Sequence, residues 1–176
     1  FNSRRLSEKA AQSLKFYSRQ TAANVDFTVD SMKHVTDYIL SDPDMLNAMK
    51  TLPKYYGSST YSKTIERNEL LDTLNSGISM YYINSNFYRV IIFNEFGDVA
   101  SSTNTGSKIT NKARNTTTID WLDSAARRHG KPILGAPHMD GWGIRESEEV
   151  FSLARKVQGG DFGYIEVQYA TEELKD

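Results

Sequence analysis

EVFSLARKVQGGDFGYIEVQYA, Glu149–Ala170, decides the fold. Two runs rich in β-branched and aromatic residues flank Gly159-Gly160-Asp161, which predicts two strands joined by a turn. Side chains alternate between the faces of a strand. Phe151, Leu153 and Val157 alternate with Ser152 and Ala154, and Ile165, Val167 and Tyr169 alternate with Tyr164, Glu166 and Gln168. One face is therefore apolar and needs a covering layer. The other is small and polar with an aromatic, and is either solvated or the floor of a pocket.

The covering layer is found at the start of the chain. Leu6, Ala10, Leu14, Tyr17, Thr21, Val25, Thr28, Met32, Val35 and Ile39 recur at steps of three and four, one stripe on a helix. With no Gly or Pro before Pro43, the pattern predicts a long helix over residues 1–40, a rod of roughly 50 Å. Asp42 and Pro43 restart a helix as its cap and first turn. Residues 64–85 read as a helix or helix pair broken near Gly77.

Residues 87–94 and the VASSTN run after a turn at Gly97 read as a hairpin. A short helix follows, containing Trp121 and His129 and ending at Gly130. Lys131–Gly135 is a short strand, and Thr171 is placed as the cap of a last helix. Strands joined by short turns imply an antiparallel sheet. The expected architecture is thus α+β: about five antiparallel strands with the long helix packed on one face.

Composition narrows the function. The 176 residues are 39% hydrophobic and 11% aromatic, enough for a folded core. The formal charge is −1 and the 21 cationic residues are scattered, so no nucleic-acid partner is expected. The absence of cysteine excludes disulfides, thiolate metal sites and cysteine nucleophiles. No run approaches the roughly 18 apolar residues of a membrane span. The opening FNSRR lacks an initiator Met and reads as a piece of a longer protein.

Chemistry-bearing residues gather in GKPILGAPHMDGWG, Gly130–Gly143. His138 and Asp140 supply two of the three ligands that a zinc site needs. His34 and His129 fall in predicted helices with no second ligand at i+4, so no metal and no cofactor are expected. There is no Gly-x-Ser-x-Gly elbow and no phosphate-binding loop, so the chain is read as a non-enzyme. A small hydrolase using His138 and Asp140 is the catalytic alternative. A stiff loop carrying Trp142, His138 and Asp140 near Trp121 suits the clasping of a small molecule, with aromatic walls and a few aimed polar groups. The third alternative is a structural or dimerisation module whose pocket face is filled by its own side chains.

The order of these motifs resembles the extracytoplasmic Cache-type (PAS-like) sensor domains of bacterial transmembrane receptors. It is most similar to those of sensor histidine kinases paired with AraC-type regulators. The residues that carry the resemblance are the long first helix, the hairpin YRVIIFNEFGDVASS, the stretch DWLDSAARRHGKPILGAPHMD and the strand pair Glu149–Ala170.

The resemblance implies one sensor module over residues 1–176, with the sheet and pocket loops in 87–170. It implies a helix rising from a membrane segment, a small-molecule ligand of unknown class, and a homodimer through the first helix. Trp121 and Asp140 match pocket positions of that family. Members that bind amino acids carry an Arg two residues before that Trp and a Tyr after it; here Ile119 and Leu122 stand there. His138 is then expected to hydrogen-bond the ligand and Asp140 to hold a donor or cation on it. Trp121 and Trp142 would pack on its apolar surface. Ser152, Tyr88 and Tyr164 are candidate floor residues, with Arg89 a further one in the opposite register of the first strand.

Overall fold

A computed structural model describes residues 8–12, 22–83, 87–102, 121–143 and 147–174. Residues 8–12 are helical, and helix α1 spans Ala22–Ser41. Ala10, Val25, Met32, Val35 and Ile39 of the apolar stripe are buried. Leu6, Leu14, Tyr17 and Thr21 lie outside the described residues. Helix α2 (Pro43–Thr51) starts as expected: the Asp42 carboxylate accepts from the backbone N–H groups of Asp44 (2.9 Å) and Met45 (3.4 Å). A cap of this kind contributes about 1 kcal/mol.

A 3₁₀ turn (Leu52–Tyr55) leads to α3 (Tyr61–Ile78), and α4 (Met80–Ile83) follows a break at Ser79. The break falls two residues past the glycine that suggested it. Helix α3 is tied to the sheet by Arg67, whose Nε donates to Asp98 at 2.7 Å, and by Asn75, whose Oδ1 accepts from the Ser101 N–H at 3.0 Å.

Strands β1 (Arg89–Phe93) and β2 (Val99–Ser101) form the predicted hairpin. Helix α5 (Leu122–Arg127) is shorter than the sequence suggests. His129, expected in that helix, lies beyond its end at φ +52. Strands β3 (Ile133–Leu134) and β4 (His138–Met139) are two-residue pairings on β5 (Glu149–Lys156), and β6 (Tyr164–Ala170) completes the sheet. The last described residues form a 3₁₀ turn (Thr171–Leu174). Thr171 does not cap it: its hydroxyl bonds the Glu149 carboxylate at 2.8 Å, fastening the turn to β5.

The order β2-β1-β6-β5-β3, with β4 on β5, makes an antiparallel sheet of six strands where about five were expected. The central strand, β6, is the last in sequence. Its Ile165 and Val167 join Phe151, Leu153, Val90 and Ile92 in a core with Met32, Val35 and Ile39 of α1 and Met45, Met49 and Leu74 of α2 and α3. The apolar face therefore meets the helices, as the alternation requires. Arg155 clamps the edge, donating from Nε to the Gly130 carbonyl at 2.5 Å and pairing with Asp37 of α1.

Candidate ligand site

The opposite face of the sheet is buried as well, so it is not a solvated surface. Cross-strand pairing lays its side chains in rows: Phe93 beside Tyr164, then Ile91, Glu166 and Ala154, then Arg89, Gln168 and Ser152. One end is aromatic and the other polar, with Glu166 between them.

At the aromatic end Phe93 stacks on Tyr164 with centroids 5.4 Å apart. Trp121 meets both edge-on, at 5.8 Å and 5.9 Å, and Trp142 lies 5.0 Å from Phe93. Such offset and edge-to-face pairs each add roughly 0.5–1.5 kcal/mol beyond their buried area. Trp121 leads into α5, whose buried Ala125 packs in the same cluster. Burial, with the carboxylates of Glu95, Asp123 and Asp161 adding to it, pushes the Tyr164 phenol up to about 12.

At the polar end Arg89 and Asp140 form an ion pair with both side chains fully buried. Arg89 Nε also donates to Gln168 Oε1 at 2.9 Å. The second Asp140 oxygen accepts from the Tyr88 hydroxyl at 3.0 Å, and the first accepts from the Trp142 backbone N–H at 3.0 Å. Burial first, then the Asp140 charge, pushes the Tyr88 phenol up to about 12. Gly143 closes the loop over the pair: a Cβ there would stand 2.5 Å from Asp140 Oδ2 and 2.7 Å from Arg89 Nη1.

Glu166 is fully buried and accepts from three neutral donors. These are Trp142 Nε1 at 3.0 Å, Ser152 Oγ at 2.7 Å and Gln168 Nε2 at 3.0 Å. The indole thus bridges the aromatic end to the carboxylate.

Seven of the eight residues singled out from sequence converge here: Tyr88, Arg89, Trp121, Asp140, Trp142, Ser152 and Tyr164. Tyr88 and Arg89 had been alternatives, yet both reach the site. Tyr88 precedes β1 and reaches Asp140 with its hydroxyl, whereas Arg89 begins the strand on the buried face. His138 is the exception. It is half-buried on β4, and its Nδ1 lies 2.9 Å from the Ala136 carbonyl oxygen. No bond joins it to Asp140, so the pairing that a hydrolase would use is not formed. Ile119 lies outside the described residues. Among the described residues no cluster of three metal-ligating side chains occurs. Glu166, Gln168 and Phe93 were missed as site residues. The alternation of GYIEVQY placed the first two on this face, but an acid and an amide there read equally as solvent-facing.

The same fold is found in ligand-binding sensor domains of bacterial receptors. The chain is similar in structure to the sensor domain of the V. cholerae histidine kinase DctB, with a TM-score of 0.57 and 13% identity over 99% of this chain and 59% of that one. It is similar to the ligand-binding domain of the Campylobacter jejuni chemoreceptor Tlp3 in complex with 4-methylisoleucine, with a TM-score of 0.55 and 14% identity over 98% and 61%. The Tlp3 sensory domain with isoleucine bound gives 0.51 and 14% over 95% and 60%. The chain therefore spans about three fifths of the length of these structures, and at such identities the likeness is one of fold. No sequence-family model and no curated protein sequence matches it.

Proposed function

We propose that this chain is the small-molecule sensing module of a membrane-bound signalling receptor, acting outside the cytoplasm. The observation that carries this reading is the second buried face of the sheet. A structural module needs only apolar filling there. This face instead buries Arg89, Asp140, Glu166 and Gln168 behind two tryptophans, at a desolvation cost of several kcal/mol per ion. Aromatic walls with a few aimed polar groups are the usual make-up of a ligand site. The shared fold with the sensor domains of a histidine kinase and a chemoreceptor supports the same reading.

Signalling then follows from differential affinity. A ligand that enters between the β1-β6-β5 floor and the Asp140–Gly143 loop favours one arrangement of that loop, and shifts the equilibrium only by its preference for that arrangement. The same strands carry α1 on their other face, so a change in the floor is passed to that helix. Among the described residues no helix is long and apolar enough to cross a membrane, and anchoring is assigned to flanking segments of a longer receptor.

Pairing of two copies through the first helix is part of the proposal. Phe27 and Tyr38 of α1 are 73% and 63% exposed, and eleven residues, about three turns, place them on one helix face.

A thermal-shift panel of sugars, organic acids, amines and amino acids tests the sensing role. A ligand at 100 times its Kd adds about 2.7 kcal/mol, a rise of roughly 5–10 °C for a domain of this size. A panel in which no compound raises the melting temperature favours the structural module.

A further inference from the structure

We propose that the chain carries a second ligand site, a cationic cleft on the helix-covered side of the sheet, and that it takes a small multivalent anion, a polycarboxylate or a phosphate compound. The site is separate from the sensing face and does not depend on it. Three observations point there.

The first is shape. A cleft of about 370 Å³ opens where α1 ends, between α2, the turn after α5 and the end of β5. Small-molecule sites run from roughly 300 to 1,000 Å³. Leu40, Leu46 and Val157 are its apolar walls, and all three pack in the core between helices and sheet. The ring cluster and the Arg89–Asp140 pair do not line it.

The second is charge. Lys50, Lys131, Arg155 and Lys156 line the cleft from three separate elements, and no carboxylate does among the described residues. Arg155 is paired with Asp37 of α1. The three lysines form no ion pair among the described residues, and Lys50 instead stands 5.8 Å from the centre of the Phe162 ring. Cations gathered in this way repel one another, and an anion with two or more charges relieves the repulsion. The whole chain has a formal charge of −1, so the cluster is local. It suits a compact anion and lacks the broad basic face that a nucleic acid needs.

The third is a frame already fixed. Arg155 Nε donates to the Gly130 carbonyl at 2.5 Å, and Nη1 donates to Thr36 Oγ1 at 3.3 Å as well as to Asp37. One side chain thus holds the turn, β5 and α1 around the cleft, and a ligand loses less freedom on entering a site of fixed shape. His129 and Gly130 in the turn hold φ of +52 and +81. A non-glycine residue keeps such a conformation only where its surroundings impose it, and such residues gather at binding sites. An anion beside Arg155 also competes with Asp37 for it, which ties occupancy of the cleft to the hold on α1.

Isothermal titration with citrate and with inorganic pyrophosphate, at a constant ionic strength of about 0.15 M, tests the site. At least one of them is expected to bind saturably at one equivalent per chain, and which binds more tightly separates a polycarboxylate from a phosphate ligand. Lys131→Gln with Lys156→Gln is expected to weaken binding about tenfold, the product of two partly exposed ion pairs, with an unchanged melting temperature for the free protein. Lys9→Gln with Lys63→Gln, the same change of net charge at two exposed positions outside the cleft, is expected to leave binding within about twofold. In the wild type the backbone signals of Gly130, Lys131 and Val157 should shift while both indole signals stay in place, a reading that needs no variant. The proposal is overturned if neither anion binds, if the cleft variant binds as tightly as wild type, if the control pair weakens binding equally, or if the indoles shift and the cleft signals do not. Tetraglutamate that binds at the same lysines more than tenfold more tightly than either small anion also overturns it, in favour of an acidic segment of a partner protein.

Discussion

The Arg89 guanidinium and the Asp140 carboxylate, 51 residues apart in sequence, meet with neither side chain exposed to solvent. This pair joins the first strand of the sheet to the loop that closes over its buried face. Removing one partner leaves the other as an uncompensated buried charge, which costs about 3–5 kcal/mol. Asp140→Ala and Arg89→Met are each expected to destabilise the fold by that amount in urea melts. The double variant should cost less than the sum, because the orphaned charge is gone. Additive losses would contradict the pairing. A further consequence is that Asp140→Ala is a stability variant, and lost binding in it says little about ligand contacts.

Gly163 sits at φ +103 in the β5–β6 connection, and a Cβ there would stand 2.2 Å from the Phe93 carbonyl oxygen. Gly97, at φ +90 in the β1–β2 turn, has open space around the same position. Gly97→Ala should therefore cost only the backbone strain, about 1–2 kcal/mol. Gly163→Ala adds a backbone clash and should cost more than about 3 kcal/mol. Equal melting temperatures for the two variants would refute the packing described at Phe93.

Tyr88 and Tyr164 both have phenols raised to about 12, against about 10 in an unfolded chain. Below pH 10 both states hold the proton and the contribution is complete. Between pH 10 and pH 12 the unfolded chain ionises first, so stability falls as pH rises. Denaturation midpoints should decline over that window. Tyr164→Phe should flatten the decline, by at most about 2 kcal/mol at its upper end. A profile unchanged in Tyr164→Phe would show that this phenol is not shielded.

Phe27 and Tyr38 should lie in the subunit contact if α1 pairs two copies. Sedimentation at high micromolar concentration is expected to show a dimer that Phe27→Glu dissociates, with an unchanged melting temperature for the monomer, because the ring is 73% exposed. A wild-type chain that stays monomeric under these conditions removes the helix from the proposed interface.

Much of this was legible in the sequence because one period dominates each segment. The alternation of Phe151, Leu153, Ile165 and Val167 gave both strands and their core face, and the Val25–Ile39 stripe gave the helix that covers them. What periodicity does not carry is long-range polar pairing. Nothing in the sequence says that Arg89 goes to Asp140, since a guanidinium on a strand reads as a solvated side chain. Glu166 was overlooked for the same reason. His129 was placed in a helix because the Gly130 stop signal is one residue late: the chain already turns to positive φ at His129. His138 looked like a site residue by its proximity in sequence to Asp140. Pairing of β4 with β5 instead leaves its ring beside the Ala136 carbonyl.

The chain holds two tryptophans, and both lie on the buried face. Their indole N–H signals in a correlation spectrum of ¹⁵N-labelled protein therefore read the site with no attached probe. Titration with a compound that raises the melting temperature, of Lys131→Gln with Lys156→Gln as well as of wild type, is the most direct test of the central claim. The account predicts a saturable shift of the Trp142 indole signal, the group bonded to Glu166, at the same concentrations that stabilise the fold. A ligand that binds saturably and stabilises the protein while leaving both indole signals in place would contradict it, and would put the binding site elsewhere on the molecule.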